Sequence, residues 1–161
     1  MFDSGGQCGY AELHAHSAFS FGQGVDQPAD LVARAHQLGL AGLAILDRDG
    51  LYAAVQAHQE GVKRQFPLVY GAELTLDDGT RLPVLARGAQ GYRRLSRRIS
   101  RHNLRADQRV DPAHQLPDLA EDAEHWMVLT GDEDGPLRTR LAQGGVRRAA
   151  SSQDRKSGSA G

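Results

Sequence analysis

Residues 40–47, LAGLAILD, are apolar without a break until the final aspartate, and Arg48 and Asp49 follow at once. A strand with one wet face alternates apolar and polar residues, and this one does not. The run is also far too short to cross a membrane. It therefore reads as a strand buried on both faces, which in a soluble domain means a parallel strand covered by helices.

The flanking sequence supplies those helices and further strands. Residues 10–15 read as a first strand. Asp26 is placed to cap a helix with Pro28 in its first turn, running through LVARAHQLGL and stopping at Gly39. Leu31, Ala35 and Leu38 share one of its faces. A second helix covers about 51–64. PLVYGAEL, residues 67–74, is a third strand. LDDGT, residues 76–80, carries an Asp-Gly turn, and RLPVLAR returns as a fourth strand that Pro83 pushes toward an edge or a bulge. A third helix spans Gly91 to Leu104, with Tyr92, Leu95, Ile99 and Leu104 on its apolar stripe. HWMVLTG, residues 125–131, is a fifth strand, and residues 136–144 form a short helix. This alternation predicts an α/β fold with mostly parallel strands.

Residues 1–8 are polar and Gly-rich and are expected to be flexible. Residues 144–161 lack apolar periodicity, are rich in Gly, Ser and Arg, and are expected to be disordered. The folded part is thus residues 9–143. A net charge of −1 over 161 residues gives no global field toward nucleic acid or membrane. The single cysteine, Cys8, rules out an internal disulfide and suits a reducing compartment. With no basic start followed by an apolar stretch, the expected location is the cytoplasm.

Function in parallel α/β folds collects at the C-terminal strand ends. Those ends read His14 and His16, then Asp47, Arg48 and Asp49, then Glu73, then Asp132 with Glu133 and Asp134. Side chains two apart on a strand share a face, so His14 and His16 can grip one ion. Converging histidine and carboxylate suits zinc, manganese or iron and phosphoester hydrolysis. Strand ends are also polar simply because they meet water, and that alternative stays open.

Five segments occur in order: YAELHAHSAFSF, LAGLAILDRDGLYAAV, VYGAELTL, LPVLARGAQGYRRLSRRIS and HWMVLTG. Together they resemble the N-terminal PHP (polymerase and histidinol phosphatase) domain of bacterial C-family DNA polymerases, nearest their error-prone, damage-tolerant branch. The resemblance implies a distorted seven-stranded (β/α)7 barrel, here incomplete with about five strands. It implies a strand-end cleft that binds up to three metal ions through His, Asp and Glu. In some members that cleft is a phosphoesterase or a 3′–5′ exonuclease, and in others it is decayed and structural.

Residue by residue, His14 and His16 match the family's first HxH motif and Glu73 the glutamate of its GAE motif. Gln23 stands where the family often has aspartate. Arg48 replaces a metal-binding histidine between Asp47 and Asp49, and Arg81 replaces the histidine that opens the next strand. Asp132 replaces a cysteine. Guanidinium donates no lone pair. At ~5 Å and an effective dielectric near 20, each repels a divalent ion by roughly 6–7 kcal/mol before screening. Arg48 is expected to pair with Asp47, Asp49 or Glu73 in place of a metal. His14, His16, Glu73 and Asp132 can still hold one Zn or Mn ion.

The preferred expectation is a structural PHP fragment, associated with the remainder of a polymerase or its accessory proteins, without a polymerase palm in its 161 residues. An interrupted reading frame near Gly144 accounts for the missing strands; the alternative is a stand-alone variant that repacks or dimerises over its open edge. A second reading is a metal-dependent phosphoesterase. A third is a nucleic-acid-binding fragment using Arg94, Arg97, Arg98 and Arg101. Against the third, these arginines suit a solvated face balanced by Asp118, Glu121, Asp122 and Glu124, and no aromatic residue is interleaved to stack bases. Trp126 is assigned to the core, and His36, His58, His102 and His114 to the surface.

Overall fold

A computed structural model describes residues 9–105 and 113–144. The expectations for residues 1–8 and for the tail from 145 on, including Cys8, lie outside the described residues. Five strands form one sheet in the order β1 (Ala11–Ala15), β2 (Gly42–Ile45), β3 (Leu68–Thr75), β4 (Arg81–Ala86) and β5 (Trp126–Val128). Helices α1 (Pro28–Gln37), α2 (Ala54–Arg64), α3 (Gly88–Arg105) and α4 (Leu116–Ala120) separate them, and residues 136–144 are helical.

The sheet is mixed rather than mostly parallel. β1, β2 and β3 run parallel, whereas β3 with β4 and β4 with β5 are antiparallel. The reason is the Asp-Gly turn, where Gly79 at φ +79° lets β3 fold straight back as β4 with no crossover helix. β1 and β5 form the two edges, so no barrel closes among the described residues.

Every residue of β2 is buried, as its unbroken apolar run requires. Leu43 and Ile45 pack with Val32, Ala35, Ala57 and Phe66 under α1 and α2. Ala44 and Leu46 pack on the opposite face with Leu85. A further cluster joins Leu74, Leu82 and Val84 of the hairpin to Leu95 and Ile99 of α3, with Leu119 and Trp126. Trp126 Nε1 donates to the Gly91 carbonyl at 3.2 Å, which satisfies the buried indole.

Several local expectations are corrected. Gln27, not Asp26, occupies the N-cap of α1, and no side chain caps it. The other end behaves as expected: Gly39 at φ +70° lets the Gly39 and Leu40 amides bond back to the His36 and Ala35 carbonyls. Leu104 is 86% exposed and not on the α3 stripe. Pro83 sits in an interior strand. It faces Glu73, whose own backbone groups turn toward β2, so no ladder bond is lost there, and its carbonyl accepts from the Leu129 amide. His114 is buried rather than on the surface, because residues 113–115 add to the end of β3: its amide donates to Thr75 and its carbonyl accepts from Asp77. Burial, with His102 and Arg98 adding to it, pushes its imidazole down to about 4.

Candidate metal centre

The end of β1 carries His14, and the chain continues past Ala15 to His16. Ala15 pairs with Ile45, and its carbonyl accepts from the Leu46 amide. Beyond β2 the backbone stays alongside β3: Glu73 donates to the Asp47 carbonyl and accepts from the Asp49 amide. This register brings the Glu73 carboxylate beneath both histidines. His14 Nε2 lies 3.0 Å from Glu73 Oε1, and His16 Nε2 lies 3.3 Å from Oε2. The ligand atoms of His14, His16 and Glu73 all fall within 4.8 Å of one another. Neighbouring ligands around one tetrahedral ion with bonds of about 2.0–2.2 Å stand roughly 3.3 Å apart, so each histidine stands about one such edge from a Glu73 oxygen while the set as a whole is looser.

The electrostatics are set by this contact. Burial pushes the Glu73 carboxyl up, but the bonds from His14 and His16 outweigh it and hold it at about 2. The same bond to Glu73 raises His14 above its ordinary value against opposing desolvation. Glu73 is therefore ionised throughout the physiological range, as a metal ligand must be.

The remaining candidate positions are placed differently. Asp132 is 81% exposed and reaches only His14 Nδ1, at 3.8 Å. Asp47 is buried and spent on structure: its carboxylate accepts from the Ser17 amide at 2.9 Å, the Ser17 hydroxyl at 2.7 Å and the Ser20 hydroxyl at 2.7 Å. This ties down the loop after His16. Gly24 is required in that loop, because a Cβ there would lie 2.0 Å from the Ser17 carbonyl oxygen. Asp49 adopts φ +49°, which aspartate tolerates, and turns its carboxylate onto the Thr75 amide at 2.8 Å and hydroxyl at 2.6 Å. Burial raises its pKa, only partly offset by Thr75 and Arg48. Gln23 is exposed on the loop.

Arg48 does not take the role expected of it. No carboxylate lies within ion-pair distance of it among the described residues, and its Nε is buried without a partner. Arg81 is the guanidinium that meets the site, 4.0 Å from Glu73 and 3.4 Å from Asp134. Ser17, Ser20 and Thr75 carry no site signal in the sequence on their own, whereas Asp134 belongs to the acidic strand end after Gly131. The only signal for the serines is their spacing of three in HSAFS, which lets two hydroxyls converge on one carboxylate.

The PHP domain family matches residues 12–156 of this chain. The chain belongs to that family. Among curated relatives, the error-prone DNA polymerase of Mycobacterium tuberculosis (strain H37Rv) is 43% identical over 152 residues, covering 88% of this PHP chain and 14% of the relative. The error-prone DNA polymerase of Corynebacterium efficiens is 44% identical over 130 residues, covering 80% of this chain and 12% of the relative. This PHP domain thus spans about one seventh of the length of those polymerases. In fold it is similar to a two-domain protein from Bacteroides vulgatus containing a PHP-like metal-dependent phosphoesterase, with a TM-score of 0.53 at 15% identity over 84% of this chain and 41% of that one. No described helix is long and apolar enough to cross a membrane.

Proposed function

We propose that this PHP domain is a structural N-terminal module of an error-prone DNA polymerase, with a cleft suited to at most one metal ion. The observation that carries the reading is the fate of the cleft carboxylates. Asp47 and Asp49 are consumed by Ser17, Ser20 and Thr75, and a guanidinium, Arg81, stands 4.0 Å from Glu73. A multi-metal centre needs several carboxylates free to bridge ions, and a fixed positive charge opposes each ion added.

The residues fit one ion. His14, His16 and Glu73 would hold a zinc or manganese ion, with Asp132 beside His14. Such an ion supplies Lewis acidity toward a phosphoryl oxygen. The chain's own part is to keep Glu73 ionised, to hold both imidazoles on it, and to present Arg81 to any anion that enters. The remainder of the polymerase is the natural partner, and the open edges β1 and β5 are where it would add, since Met127 and Val128 of β5 are exposed.

Two measurements on purified chain test this: metal content by elemental mass spectrometry after manganese or zinc loading, and hydrolysis of bis-p-nitrophenyl phosphate beside the His14→Ala variant. The expected result is at most one equivalent of metal and no turnover above the variant. Two or more equivalents, with turnover abolished by His14→Ala, would establish the phosphoesterase or exonuclease reading in its place.

A further inference from the structure

The arginines of α3 divide into two sets that do different work. Arg94 and Arg98 turn toward α4 and the turn after it. Arg94 Nη1 lies 2.7 Å from Asp122 Oδ1, and Arg98 Nη2 lies 2.8 Å from Asp122 Oδ2 and 3.1 Å from Glu121. These two fasten α3 to the segment that leads into β5. They are fixed by carboxylates and unavailable to a ligand.

Arg93, Arg97 and Arg101 lie on another face. They are spaced i, i+4 and i+8, and all three are exposed. A rise of about 1.5 Å per residue sets neighbours about 6 Å apart along a nearly straight row. Among the described residues, no carboxylate comes within ion-pair distance of any of them. The helix itself contains no acidic residue from Gly88 to Arg105. Three guanidiniums in a row with no carboxylate partner among the described residues, on a chain whose net charge is −1, are a local feature and not a by-product of a basic protein.

We propose that this row binds the phosphate backbone of a DNA strand. Guanidinium presents a planar fork that matches phosphate oxygens two at a time, which a point charge does not. The rest of the face argues against a protein partner. Protein interfaces are anchored by buried apolar or aromatic side chains at their centre. Here Ser96 and Ser100 flank the row, and Leu104, at its far end, is the apolar side chain on it. A phosphate backbone needs no apolar anchor. The absence of a stacking aromatic on the row predicts contact with backbone and not with bases, so binding is indifferent to sequence. The choice of DNA as the polyanion rests on the polymerase-module reading; the geometry of the row does not.

The test is fluorescence anisotropy of the 161-residue chain with a labelled single-stranded DNA oligonucleotide across a salt series. Three phosphates neutralised on a single strand give a log–log slope of about −2, or binding about 20-fold weaker at 200 mM than at 50 mM salt. The combined Arg93→Ser, Arg97→Ser, Arg101→Ser variant loses binding and slope while its circular dichroism stays that of the parent. The Arg→Lys variant at the same three positions keeps the slope with weaker binding. The proposal is overturned if the parent does not bind at 50 mM salt, if the serine variant binds with the parent's slope, or if a polyglutamate peptide at equal charge displaces the DNA. Because the anisotropy reads α3 and metal loading reads the cleft, failure of either leaves the other standing.

Discussion

Replacing Glu73 by glutamine isolates the contact that organises the cleft. The carboxyl is moved from an ordinary 4.5 to about 2, with its side chain 5% exposed. That difference favours the charged form in the folded chain by about 3 kcal/mol. Because the folded pKa is depressed, the stabilisation is present above pH ~4.5 and is lost as pH falls toward ~2. Glutamine keeps the shape and removes the charge, so Glu73→Gln should lower stability by about 3 kcal/mol at pH 7, a large part of a typical total of about 5–15 kcal/mol. The gap to the parent should shrink below pH ~4.5 and close near pH 2. The assay is urea unfolding followed by Trp126 fluorescence, in chelating buffer so that no ion contributes. The His14 imidazole should also fall back toward its ordinary pKa, read by proton NMR, since the bond to Glu73 is what raises it. A variant as stable as the parent at pH 7, or a gap that does not change between pH 4.5 and 2, refutes the reasoning.

Two further outcomes follow from buried groups. Asp47→Ala removes the acceptor of three hydrogen bonds at a site 1% exposed and strands the Ser17 and Ser20 donors, so it should cost about 3–5 kcal/mol and expose the loop after His16 to limited proteolysis. An unchanged melting temperature and cleavage pattern would show that Asp47 is not the anchor. For His114, the folded pKa of about 4 lies below the ordinary 6.5, so the unfolded chain takes up the proton first. Stability present above pH ~6.5 should fall by about 3 kcal/mol as pH drops to ~4, and His114→Phe should abolish that slope; equal slopes in urea midpoints would contradict it.

What was legible in the sequence is what depends on local pattern. The unbroken run of β2 dictates burial on both faces, and the Asp-Gly turn dictates the return of β4. His14 and His16 were legible because a period of two fixes a shared face, and Glu73 because it lies near the C-terminal end of β3. What was not legible depends on how far a side chain reaches and toward what. Arg48 and Arg81 look equivalent as replaced ligands, yet Arg81 starts a strand that runs antiparallel beside Glu73, whereas Arg48 has a buried Nε with no partner. Asp47 and Asp49 read as cleft carboxylates until the serines and Thr75 are folded against them. His114 is buried only because a segment far along the chain docks on the end of β3, a pairing that no local period encodes.

The same geometry bears on metal dependence. Glu73 has both oxygens satisfied by His14 and His16, and Arg81 supplies a positive charge nearby that cannot be titrated away. The cluster is therefore complete as a hydrogen-bonded unit without an ion. An ion that bound only the folded chain at 100 times its dissociation constant would add about 2.7 kcal/mol. At about 2–4 °C per kcal/mol for a chain of this size, stripping such an ion would lower the melting temperature by about 5–11 °C. Here, treatment with a strong chelator should move it by no more than about 2–4 °C, measured by scanning calorimetry before and after dialysis. A fall of about 5 °C or more, reversed by adding zinc or manganese, would mean that the fold relies on an ion at His14, His16 and Glu73 and that Arg81 has not taken over its electrostatic role.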